Sequence, residues 1–236
     1  MRKLTFVLFL FVALAAQAQT NLQLHYDLGK ERKYFTSTLE MFKPDKWGNS
    51  FFFVDIDYNG VDHQPSLAYM EIARCLKFWN GPFSVHVEYD GGLLGSKSTS
   101  TYYPINNAFL GGIDYGWHDK KFTKFLNFKV LYKTIQGKNA NSFQLTGVWN
   151  LNYFNKKVTL SGFADFWRED NVNFTNASGR PLPAPTNTDF VFISEPQFWY
   201  NVTPNLSLGS EVEVATNFGT VDGLKICPTL AAKWNF

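Results

Sequence analysis

The sequence predicts an all-β fold, a transmembrane, antiparallel, up-and-down β-barrel of about 12 strands. Three observations predict it. First, the stretch from Phe143 to Phe236 reads as a row of strands at 143–150, 157–168, 189–200, 205–215 and 224–236. Each is close to the length a tilted strand needs to cross a bilayer, roughly 9–11 residues. Second, polarity alternates within each run, as a strand with two different faces requires. In the last run Leu224, Ile226, Pro228, Leu230, Ala232, Trp234 and Phe236 share one face; Lys225, Thr229, Lys233 and Asn235 share the other. Third, the chain stops on Trp234-Asn235-Phe236. An aromatic residue closing such a strand is common in outer-membrane barrels, so Phe236 is the expected contact for the barrel-assembly machinery.

The N-terminus reads as a secretory signal. Arg2 and Lys3 form a basic start, Leu4 to Ala15 an apolar core, and Ala16-Gln17-Ala18 a small-residue cleavage site. Residues 1–18 are therefore expected to be a signal peptide and residues 19–236 the barrel. No later segment approaches the roughly 18 consecutive apolar residues of a spanning helix. Loss of Arg2 and Lys3 with the leader brings the formal charge from +2 to about zero, which argues against nucleic acid as a partner. Two cysteines, Cys75 and Cys227, are too few for a disulfide scaffold and are expected to be unpaired thiols lining the wall. The 24 Phe, 11 Tyr and 7 Trp suit strands and membrane interfaces.

From the N-terminus, the strand candidates are 22–28, 34–42, 50–58, 67–79, 82–90, 106–117 and 122–133, followed by the five above. Leu22, Leu24, Tyr26 and Leu28 alternate with Gln23, His25 and Asp27; Phe52, Val54, Ile56 and Tyr58 alternate with Phe53, Asp55 and Asp57. Short connections (43–49, 80–81, 118–121, 151–156, 201–204) alternate with longer ones (59–66, 91–105, 134–141, 169–188, 216–223). That asymmetry belongs to outer-membrane barrels, whose long loops face outside. The 169–188 segment, with Gly179, Pro181, Pro183 and Pro185, is expected to be an external loop. It holds two N-glycosylation patterns at Asn173 and Asn176, read here as chance matches.

With apolar faces toward lipid, the opposite faces line the interior. They carry Asp27, Glu40, Asp55, Asp57, Glu71, Glu88, Asp114, Asp165, Glu195, Glu211 and Glu213. The basic members are Lys129, Lys133, Lys225 and Lys233, with His25 and His86. A charge on the lipid face costs roughly 2–4 kcal/mol near the midplane, so these carboxylates imply a wet or well-paired lumen. A solute pathway and a plugged barrel knit by acid–base pairs both fit that pattern. Asp55/Asp57 and Glu211/Glu213 each place two carboxylates on one face about 7 Å apart. No histidine joins them at ligand spacing, so neither a metal nor any other cofactor is expected. The remaining class, a lipid-modifying barrel enzyme, needs a Ser–His pair on the outer surface. His25 and His86 face inward and no nucleophile elbow is present, so no catalytic residue is expected.

Several stretches in order then resemble a known family. They run from the threonine-rich strand ending Leu39-Glu40-Met41-Phe42, through Phe51-Phe52-Phe53-Val54-Asp55-Ile56-Asp57 and Tyr69-Met70-Glu71-Ile72, to Gln144-Leu145-Thr146-Gly147-Val148-Trp149. Ser161-Gly162-Phe163-Ala164-Asp165, Glu195-Pro196-Gln197 and Leu208-Gly209-Ser210-Glu211 follow. This order resembles the nucleoside-specific channel-forming proteins of the outer membrane. The resemblance implies a monomeric, porin-like, twelve-stranded channel in the Gram-negative outer membrane that passes a small polar solute. Under it, Phe53, Phe163, Trp167 and Trp199 are candidate stacking platforms. They stand beside the lining candidates Glu40, Asp55, Asp57, Glu71, Glu88, Asp165, Glu195, Glu211 and Glu213, whose carboxylates would accept hydrogen bonds from solute hydroxyls.

Overall fold

Alternation at period two gives each strand one apolar and one polar face, and the two must be kept in different surroundings. The sheet meets that demand by closing on itself. The computed structural model describes residues 19–30, 32–96, 99, 101–138 and 142–236; the expected signal peptide lies outside them. The strands are β1 (Gln19–Asp27), β2 (Phe35–Asp45), β3 (Gly48–Asp57), β4 (Leu67–Leu76), β5 (Phe83–Gly95), β6 (Tyr102–His118) and β7 (Lys124–Ile135). They continue with β8 (Ser142–Tyr153), β9 (Val158–Asn176), β10 (Pro181–Ser194), β11 (Gln197–Asn201), β12 (Leu206–Thr216), β13 (Val221–Asp222) and β14 (Leu224–Asn235). One 14-stranded sheet holds them all. β10 and β11 are two pieces of one stave, both paired with β9 and β12, and β13 is a short parallel addition to β9. Twelve staves remain, every neighbouring pair antiparallel, and β1 pairs β14 to close the barrel. Among the described residues no helix is long and apolar enough to cross a membrane.

The outer surface is apolar. Leu22, Leu24, Ile72, Val87, Ile113, Val130, Ile226 and Leu230 are all exposed. Aromatic residues collect at both ends of this belt. Trp47, Phe78, Trp79, Trp117, Phe125 and Trp234 lie by the short-turn rim; Phe35, Tyr132, Phe143, Phe166 and Phe190 lie by the other. Phe166 and Phe190 stack at 5.4 Å, and Tyr26 meets Phe35 at 5.0 Å. Aromatic girdles flanking an apolar band are what a lipid-embedded barrel needs.

The connections at 46–47, 77–82, 119–123, 154–157 and 202–205 share one rim with both termini; those at 28–34, 58–66, 96–101, 136–141, 177–180 and 217–223 share the other. One expectation needs correction here. The segment 169–188 is not a loop. β9 runs to Asn176 and β10 starts at Pro181, so most of it is a hairpin standing beyond the barrel, with register shifts that absorb its prolines. Proline is tolerated there because the ladder is interrupted and the missing N–H has no bond to make. Similarly, 91–105 shortens to 96–101 because β5 and β6 extend toward it. Asn173 is fully buried and its carbonyl accepts from Asn171 at 2.9 Å, so the first glycosylation pattern is unusable.

Candidate functional site

Register decides which inward side chains meet. Glu40 opposes Phe53, which opposes Glu71, which opposes Asp90. Asp55 lies between Thr38 and Tyr69 in the same way. All of these point into the barrel, together with Asp57, Glu88, Phe163, Asp165, Trp167, Glu195, Trp199, Glu211 and Glu213. The structure therefore puts every sequence-nominated residue on the inner wall and brings most of the carboxylates into one electrostatic neighbourhood. Glu195 interacts with Glu211, Glu213, Asp55 and Glu71. Glu71 interacts with Asp90, Glu88 and Asp165. Five staves stand between β4 and the β10/β11 stave in either direction, so Glu71 and Glu195 face each other across the lumen.

Some of this charge is neutralised. Lys129 Nζ lies 3.9 Å from Glu88, and Lys133 Nζ 3.9 Å from Asp90 and 2.6 Å from Gln144 Oε1, to which it donates. Hydroxyl donors serve others: Thr38 to Asp55 at 2.5 Å, Thr36 and Tyr34 to Asp57 at 2.6 and 3.2 Å, and Tyr69 to Glu71 at 2.9 Å. Asn21 donates to Glu40 at 2.9 Å and Gln197 to Glu211 at 2.7 Å. Among the described residues, Asp55, Glu71 and Glu195 have no cationic partner, and the Glu195 carboxylate has no hydrogen bond either. The inner wall thus carries more carboxylates than cations at its waist.

The two tryptophans are less available than their position suggests. Lys233 Nζ sits 3.9 Å above the Trp199 ring, His25 meets its edge, and its indole N–H donates to Gln197 at 2.9 Å. Lys133 Nζ sits 4.5 Å above Trp167, whose N–H donates to Glu169 at 2.9 Å, and Phe218 packs edge-on at 6.1 Å. Both indoles are held as cation–π partners within the wall. Phe53 packs beside Phe51 and Tyr69 at about 6 Å and Phe163 against the Trp167 cluster; both are only partly buried.

Apolar groups also occupy the interior. Trp167, Val191, Ile193 and Ala215 form one buried cluster; Ala108, Leu110 and Leu131 form another; Ile135 touches both. Nearer the long-loop rim, Arg32 reaches in from the 28–34 connection. Its guanidinium grips both oxygens of Glu213 at 2.9 and 3.0 Å and Asp27 at 3.1 Å. Burial opposes its charge, but Glu213, Tyr34, Cys227 and Asp27 together outweigh that opposition, so Arg32 holds its proton more tightly than usual. A cavity of about 90 Å³ lies beside it, lined in part by Phe218 and Lys225. The 217–223 connection is tied to the upper part of β9: the Thr220 carbonyl accepts from the Phe174 amide, and Asn171 donates to the Asn217 carbonyl.

Sequence reasoning missed Asp90, Glu169 and the grouping of Cys75, His86 and Asp114. Glu169 lay in a supposed loop. The other three meet only through the register of β4, β5 and β6. Both cysteines are free and buried, as the sequence suggested.

Comparison with solved structures supports the architecture. The NanC porin aligns with TM-score 0.57 at 10% identity, covering 92% of this chain and 99% of that one. The KdgM porin in complex with disordered oligogalacturonate aligns with TM-score 0.50 at 11% identity, covering 93% and 99%. At such identities the likeness concerns the fold, a porin-type barrel. A comparison with curated proteins gives no significant match. A family model does match, over residues 18–236, and by that match the chain belongs to the family described as Domain of unknown function (DUF5020).

Proposed function

We propose that this barrel sits as a monomer in the outer membrane of a Gram-negative envelope, after Sec export, and is a passive channel for a small polar solute that is neutral or cationic. The observation that carries this reading is the unpaired Glu195 carboxylate, facing Glu71 across the lumen with Asp55 and Glu211 nearby. Buried like charges are unfavourable unless water or a cation visits them. A wall of this sign concentrates cations and repels anions. The polyanion in the KdgM porin's description is a poor fit to such a wall. A nucleoside, uncharged and rich in hydroxyls, is compatible with it. Phe53 and Phe163 would offer ring faces and Asp55 and Glu40 would offer acceptors.

The test is single-channel recording of the refolded protein in a salt gradient. The expected result is a reversal potential of cation-selective sign that moves toward zero in the Glu71→Gln/Glu195→Gln double variant. Saturable block by added nucleosides would support that solute class. Anion selectivity would overturn the reading.

A second reading has its own support. The apolar clusters around Trp167 and Leu131 and the wholly buried Trp199 narrow the interior. They favour a structural or surface-interaction barrel with a blocked lumen. A demonstrably folded barrel that passes no current would establish it.

A further inference from the structure

Near the short-turn end of the inner wall, three side chains of different chemistry converge. Cys75 on β4 pairs in register with His86 on β5, and Asp114 on β6 lies beside them. Cys75 Sγ is 3.3 Å from His86 Nδ1 and 3.2 Å from Asp114 Oδ2. All three are buried, at 4%, 0% and 2% exposure. The three ligating atoms lie within 4.8 Å of one another.

His86 Nε2 lies 2.7 Å from Glu88 Oε2, an acceptor, so a hydrogen sits on Nε2, and in the neutral ring Nδ1 is a lone pair free to ligate. Asp114 Oδ1 accepts from Asn127 at 2.9 Å, so Oδ2 is left as an acceptor as well. With the ring neutral, one thiol hydrogen stands between two acceptors and can serve only one. A buried acceptor left without a donor is costly. A cation at the centre satisfies sulfur, nitrogen and oxygen together.

We propose that Cys75, His86 and Asp114 bind one divalent transition-metal ion, with zinc the best match. Tetrahedral bonds of about 2.0 Å to nitrogen and oxygen and about 2.3 Å to sulfur place the ligands roughly 3.3–3.6 Å apart. The observed separations from sulfur lie within a few tenths of that range. Glu88 holds the imidazole in the ligating tautomer and Asn127 orients the carboxylate, the outer-shell support that metal ligands receive. Three protein ligands leave a fourth position for water or a solute group. Binding releases the thiol proton to solvent, leaving a metal thiolate. A mixed sulfur–nitrogen–oxygen set disfavours magnesium and calcium, which take oxygen ligands. The site does not depend on the channel reading, since it lies within three adjacent staves.

The experiment uses the chelator-stripped, refolded barrel. Zinc is titrated against a chromogenic chelator, and cobalt(II) is added separately while absorption is recorded. We expect one ion per chain and a cysteinate-to-cobalt charge-transfer band. Zinc affinity should fall about 100-fold or more in Cys75→Ser and His86→Gln and roughly 10–100-fold in Glu88→Gln. The band should persist in Cys227→Ser, which removes the other thiol. No stoichiometric binding by the folded wild-type barrel would overturn the proposal. So would wild-type cobalt binding without a thiolate band, or zinc affinity unchanged in folded Cys75→Ser; either would place the ion among carboxylates such as Glu71, Glu88 and Asp90.

Discussion

Removing the Arg32 guanidinium would leave Asp27 and Glu213 facing each other at the outer mouth without the cation that bridges them. Charge-assisted hydrogen bonds of this kind contribute roughly 1.5–3 kcal/mol. Arg32→Ala should therefore destabilise the barrel by about that amount in urea unfolding, and Arg32→Ala/Asp27→Asn should recover part of it. An equal loss in the two variants would sink the bridge as the cause. A second residue reports on pH. The Asp119 carboxylate accepts from the Thr123 and Lys124 amides at 2.6 and 2.9 Å and from the Thr123 hydroxyl at 2.8 Å. These bonds, the Lys124 amide foremost, hold it below the usual carboxylate range. A depressed value means that the turn's stabilisation is present above the unfolded carboxylate's pKa, about 4, and is lost as pH falls through the lower folded value. The Lys124 amide resonance should titrate in that acid range and become flat in Asp119→Asn. A midpoint at or above 4 would refute the assignment.

Among the elements, the β10/β11 stave is the least regular. Pro196 has no N–H to give Val212 on β12, whose own amide donates to the Pro196 carbonyl at 3.0 Å, so the ladder is interrupted between Ser194 and Gln197. Gly162 lies opposite the break at φ +143°, where a Cβ would come within 2.4 Å of the Glu195 carbonyl and 2.9 Å of the Trp149 ring. Gly162→Ala should cost roughly 1–3 kcal/mol and disturb the aim of Glu195. Denaturation midpoints equal to wild type would show that the backbone relaxes freely. The strands were legible because a lipid face and a wall face impose period two on the whole run, and that pattern needs no knowledge of neighbours. The β9–β10 hairpin was not legible. Asn171, Asn173 and Thr175 still alternate there, but proline and glycine nearby carry the same signal as a loop. Which inward residues touch was also hidden. Cys75, His86 and Asp114 stand far apart in sequence, and only the register of β4, β5 and β6 joins them.

For the molecule as a whole, the sequence read correctly that acid outweighs base on the inner wall. It did not show that Lys133 and Lys233 would lie across Trp167 and Trp199. That covering follows from tilt and closure, which place β7 beside β9 only through β8, and β14 beside the β10/β11 stave only through β12. Closure has one more result. The first and last strands are hydrogen-bonded partners, with Asn21 opposite Asn235, and the Phe236 amide donates to the Thr20 carbonyl at 3.0 Å. The order in which the chain visits its staves is therefore circular in space, and the break between its ends is a matter of connectivity alone. Joining Phe236 to Gln19 with a short flexible linker and reopening the chain within 202–205 should rebuild the same cylinder. Cut between Thr203 and Pro204, it would then begin at Pro204 and end on Thr203. The permuted chain should refold in detergent to the same heat-modifiable species. Its delivery in cells should fail, because the aromatic end would now be a covalent turn, and that contrast separates what the barrel needs to stand from what it needs to be placed.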